Sequence, residues 1–128
     1  MMELEMFLEE LRKQAVEIGQ VLKMDMYPSE EEDKLIAALL INSHINPNLF
    51  NRIGPYQHEI SKDRYDFLDH TSYIDGYSIR EFDVQRVLCY AKYLGSIEPD
   101  DLQEAINHVC DSPDVKPYIL KKYHLKKR

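Results

Sequence analysis

The chain has no tryptophan, only four glycines and two cysteines, and no apolar run longer than the seven residues of 35–41. Each shortage removes a class of protein. A membrane-spanning helix needs about 20 apolar residues, which no stretch here supplies. A secretory leader opens on positive charge, whereas this chain opens on Glu3, Glu5, Glu9 and Glu10, so a cytoplasmic protein is expected. Cys89 and Cys110 are too few for a disulfide scaffold and match no zinc spacing; both are read as buried, reduced thiols on helical apolar faces. No glycine-rich phosphate loop is present, and beyond Asp114 there is no acidic residue.

What is present describes a globular chain: 44% hydrophobic, 30% charged, with nine tyrosines. A chain of 128 residues is enough for one core, burying roughly two-thirds of the surface its unfolded form exposes. Its net charge of −7 is divided unevenly. Lys116, Lys121, Lys122, Lys126, Lys127 and Arg128 are six of the 16 basic residues, which leaves ten against all 23 acids, or −13, before them. The reading is an acidic body over 1–115 and a basic C-terminal helix or tail over 116–128, within one domain. The body repels nucleic-acid phosphate, and the tail is the candidate for an anionic partner. The plainer role for those lysines is to complement a helix dipole.

Apolar periodicity predicts helices. Leu4, Phe7, Leu8, Leu11, Ala15, Ile18, Val21 and Leu22 return every three or four residues, which predicts one amphipathic helix over 3–24. Leu4, Leu8, Leu11, Ala15, Ile18 and Leu22 follow a heptad seam and form the candidate face of a homodimer. Such a stripe, about 28 Å long, is large beside a domain radius of gyration of about 14 Å. After Pro28, Ser29 with Glu32 reads as a capping box. It opens a second, central helix that carries 35–41 and ends at Asn46-Pro47. A short helical turn through Leu49, Phe50 and Ile53 is closed by Gly54-Pro55.

From 55 to 77 the chain is irregular and rich in polar and aromatic side chains, and here lies the candidate partner-contact loop: Tyr65, Asp66, Asp69, His70, Tyr73 and Tyr77. Asp75-Gly76 is a hairpin signal, but an isolated hairpin is marginal, so a loop is preferred. It leads to a third helix capped by Ser78, with Ile79, Phe82, Val87, Leu88, Ala91 and Leu94 as its apolar face and Gly95 as its end. Pro99 opens a fourth at the first helical position, burying Leu102, Ala105, Ile106, Val109 and Cys110 until Ser112-Pro113. A last helix over 117–125 docks Ile119, Leu120 and Tyr123.

Three chemistries compete with a purely structural role on this frame. Ala91 and Gly95 bracket a turn at helix-turn-helix spacing, but the would-be recognition helix carries Glu98, Asp100, Asp101 and Glu104, and Asp101 falls where that motif needs a buried apolar residue. A calcium loop with Gly76 at its sixth position would start at Thr71 and end at Phe82, neither of which is the carboxylate the geometry requires. Asp66, Asp69 and His70, with Tyr65 or Tyr73, offer a general base, but neighbours on one segment do not converge on a substrate unaided. The expectation is therefore an all-α single-domain bundle of four to five helices that is not an enzyme and holds no cofactor or metal. It is read as a protein-protein interaction module, a regulator, adaptor or inhibitor working by contact through its acidic surface on a protein with a basic patch. The alternative is a nucleic-acid-associated regulator using a dimeric body and the basic tail.

Overall fold

The computed structural model describes residues 4–8, 19–23 and 35–128. Among these residues the architecture is mixed, and the all-α bundle is overturned. Seven strands join one antiparallel sheet: β1 (Leu4–Leu8), β2 (Gln20–Lys23), β3 (Leu35–Asn42), β4 (Gln57–Ile60), β5 (Ser72–Asp75), β6 (Arg80–Asp83) and β7 (Lys92–Ser96). The helices are α1 (Phe50–Ile53), α2 (Val84–Tyr90), α3 (Pro99–Asp111) and α4 (Pro117–Lys122).

β3 organises the molecule. One edge pairs with β1, from Leu4↔Ile41 to Leu8↔Ala37. The other takes β5 at Ile41↔Ile74 and β6 from Ala38↔Arg80 to Leu35↔Asp83. The path runs β4-β5-β3-β1-β2-β7, with β6 continuing along the β5 edge of β3. Successive residues of a strand face opposite sides, and both sides of β3 are covered. Ala37, Leu39 and Ile41 join a core containing Ile60, Tyr65, Ile74, Ala105 and Val109, while Ile36 and Ala38 join Leu22, Phe82, Val84 and Val87 on the other face. An unbroken apolar run is what such a doubly buried strand requires. The run 35–41 is central as read, but as a strand.

The described part of the first stripe is divided between two strands. Leu4 and Leu8 lie on β1 and Leu22 is buried on β2, so no helical dimer seam joins them. Leu11, Ala15 and Ile18 lie outside the described residues, as do Pro28 and the Ser29 capping box. Gly19, with φ +86°, supplies the left-handed turn before β2. The expected loop over 55–77 holds β4 and β5, and Asp75-Gly76 is no hairpin turn: β5 and β6 line one edge of β3 while residues 76–79 leave it. Gly76 brings that excursion onto α3. A Cβ there would stand 2.7 Å from His108 Cβ and 2.9 Å from the Tyr56 carbonyl oxygen, to which the Gly76 N–H itself donates.

The third expected helix divides into β6, α2 and β7. Its cap is Asp83, whose carboxylate accepts from the Gln85 and Arg86 amides, rather than Ser78. β7 pairs with β2 through a bulge, Val21↔Gly95 then Leu22↔Tyr93, leaving Leu94 extra. Cys89 is exposed and Cys110 half-buried; both are free thiols, and desolvation raises the Cys110 thiol above its ordinary value. The last two helices follow the sequence closely. α3 starts at Pro99, buries Ala105 and Val109, and is capped by Ser112. α4 starts at Pro117 and delivers Tyr123 to the core. No described helix is long and apolar enough to cross a membrane.

Candidate functional site

The polar centre of the structure is a carboxylate on an otherwise apolar helix face. Asp101 shares its side of α3 with Ala105 and Val109, one and two i+4 steps on, and is 8% exposed. A carboxylate so placed must be hydrogen-bonded or paired. Three donors from two other segments meet it. His58 on β4 places Nε2 at 2.7 Å from Oδ1, Arg64 Nη1 donates to Oδ2 at 3.0 Å, and the Tyr65 hydroxyl donates to the same Oδ2. The Tyr65 oxygen in turn accepts from the Glu98 amide at 3.0 Å. Arg64 also forks onto Asp100, with Nη2 to Oδ1 at 2.8 Å and Nη1 to Oδ2 at 3.1 Å.

These contacts fix electrostatics as well as position. Burial, then the hydrogen bond to Asp101, pushes the Tyr65 phenol well above the ordinary tyrosine range. The Arg64 guanidinium beside Asp100 holds that exposed carboxyl below its usual value. Both oxygens of Asp101 are occupied by protein donors, so this group acts as a staple. It clamps the turn 61–68 onto α3 and β4. Within that turn the amides of Arg64, Tyr65 and Leu68 donate back to the carbonyls of Ser61, Lys62 and Tyr65.

The staple decides which residues of the candidate contact loop can reach a partner. Tyr65 is buried, so it is anchor and not contact. Asp66, Asp69 and His70 are exposed, while Tyr73 and Tyr77 are half-buried. Tyr77 packs against Tyr56 at 5.6 Å between ring centroids, with the Arg52 guanidinium 5.9 Å from its own. An open cleft of about 220 Å³ lies between Arg64, Asp66 and Phe67 on one wall and Leu94, Ser96 and Glu98 on the other. A recess of about 70 Å³ adjoins it beyond Phe67, lined by Asp69 and His70. The rim is acidic. Among the described residues no three His, Cys, Asp or Glu side chains are grouped to hold a metal.

The basic residues of the tail divide into two groups. All six are exposed; among them Lys122 pairs with Glu81 at 2.8 Å and Lys127 with Asp111 at 2.9 Å. The sequence reading missed Asp101, His58 and Arg64 as a unit. Its one available signal was Asp101 itself, a carboxylate on the apolar spacing of α3. Compared with known proteins, the chain matches no family and no curated protein.

Proposed function

We propose that the protein works by contact, as an interaction module whose acidic rim receives a basic patch of another protein. The observation that carries this reading is the Asp101 staple: it fixes the turn 61–68, whose exposed Asp66 stands beside a cleft with Glu98 on the opposite wall, next to the recess lined by Asp69 and His70. A surface held in place before binding loses little conformational freedom on binding. Complementary charge speeds encounter and sets orientation. The cleft has room for one lysine or arginine side chain between the Asp66 and Glu98 walls.

The test is a residue-resolved NMR titration of the full chain with a lysine-rich peptide and, separately, a glutamate-rich one. The lysine-rich peptide is expected to shift the amides of 63–70 and 95–98 saturably, with the affinity falling at least tenfold in the Asp66→Asn, Asp69→Asn double variant. Shifts confined to other surfaces, or equal responses to both peptides, would contradict the reading.

A further inference from the structure

One helix face already binds a stretch of main chain from elsewhere in the molecule. α4 ends in a complete Schellman turn: the His124 amide donates to Lys121 at 3.3 Å, the Leu125 amide to Leu120 at 2.9 Å, and His124 takes φ +55°. That turn sends residues 126–128 back along the outer side of α3. There Gln103 Nε2 donates to the Lys126 main-chain oxygen at 3.0 Å. Asn107 grips Arg128 at both main-chain groups, accepting from its N–H at 3.0 Å and donating to its oxygen at 3.1 Å. The Lys127 ammonium reaches Asp111 at 2.9 Å.

The spacing makes this a ladder. Gln103, Asn107 and Asp111 are successive i+4 positions, about 6 Å apart along a helix. An extended chain advances about 6.6 Å per two residues. Four residues of helix therefore keep step with two residues of extended chain at two rungs, Gln103 with residue 126 and Asn107 with residue 128, while Asp111, one turn further on, is reached by the long side chain of Lys127. The ladder is also internally set, because Gln103 Nε2 donates to Asn107 Oδ1 at 2.9 Å and so fixes the orientation of both amides. Two of its three rungs read main chain, which any peptide carries; the third reads one positive charge.

We propose that the outer face of α3, through Gln103, Asn107 and Asp111, is a recognition ladder for an extended basic peptide, and that the chain's own residues 126–128 occupy it in cis. A partner's peptide with a lysine at the middle position fits the same three rungs by displacing them. This surface is separate from the acidic rim, and its test is read at different residues.

The probe is the tetrapeptide acetyl-Leu-Lys-Lys-Arg-amide added to the full chain. A tethered segment competes at an effective concentration on the order of millimolar, so the titration runs to several tens of millimolar. The side-chain amide signals of Gln103 and Asn107 are expected to remain at their bound positions while the Arg128 amide moves toward its free-peptide position. The same peptide N-methylated at arginine keeps every charge but lacks the N–H that Asn107 accepts, and is expected to act at least fivefold more weakly. The variant Asn107→Ala is expected to release Arg128 without added peptide. An Arg128 amide that the peptide does not move, equal potency of the two peptides, or an Arg128 amide unchanged by Asn107→Ala would each overturn the proposal.

Discussion

Asp101 and Asn107 stand six residues apart on α3, and each gathers hydrogen bonds from segments distant in sequence. They differ in burial and charge. Asp101 is buried, ionic and met by His58, Arg64 and Tyr65, while Asn107 is half-exposed, neutral and met by main-chain groups that water could serve as well. The number of hydrogen bonds at the two sites is similar, but their energetic weight is not. Removing one partner of a buried ion pair strands the others without solvent, whereas an exposed hydrogen bond exchanges with water at little net cost. One helix thus carries a structural clamp on its inner side and an exchangeable grip on its outer side.

The largest expected effect breaks the inner site. Asp101→Ala leaves the Tyr65 hydroxyl and His58 Nε2 without their acceptor and Arg64 with Asp100 alone, and is expected to lower unfolding stability by about 2–4 kcal/mol, read by urea denaturation. Tyr65→Phe removes one donor and is expected to cost about 1–3 kcal/mol.

The pH dependence of that second variant sharpens the comparison. Below about pH 10, the ordinary tyrosine value, the phenol is protonated folded or unfolded, and its contribution is present in full. Above that pH the unfolded chain ionises while the folded phenol, raised by burial and by Asp101, stays protonated, so stability is lost as pH rises. The wild-type melting temperature is expected to fall more steeply above pH 10 than that of Tyr65→Phe, and parallel curves would contradict the assignment.

The outer site should respond weakly and in either direction. His124→Gly relieves a non-glycine residue of its left-handed conformation and is expected to stabilise by about 1 kcal/mol. Asn107→Ala is expected to change unfolding stability by no more than about 0.5 kcal/mol. Combined with Asp101→Ala it should add independently, because the two side chains share no partner. A cost for Asn107→Ala approaching that of Asp101→Ala would erase the distinction between clamp and grip.

How much of this was legible follows from the range of each interaction. α3 and α4 could be read because their signals are local: Pro99 and Pro117 at the first helical positions, the 102, 105, 106 and 109 spacing, and Ser112-Pro113 as a stop. β3 could not, because a run of leucine, isoleucine and alanine suits a buried helix as well as a strand covered on both faces, and only the partners decide. β1 and β2 imitate a helical stripe for the same reason: their ends belong to separate strands whose apolar residues fall by chance on a three-and-four spacing. The candidate site was half visible. Asp66, Asp69 and His70 were named and are exposed, but Tyr65 was placed on the surface although it is an anchor. The clamp joins residues 36 to 43 positions apart, beyond any local pattern. Asp101 marked its own position only as an anomaly, a charge on an apolar face.

The central claim is that a buried carboxylate holds the acidic rim in its binding geometry, and amide hydrogen exchange of Asp101→Asn against wild type tests it most directly. The expected result is a loss of protection of at least tenfold at the Tyr65 and Leu68 amides, with β3 amides unchanged. Equal protection at Tyr65 and Leu68 in the two proteins would show that the rim holds its shape without Asp101 and would contradict the account.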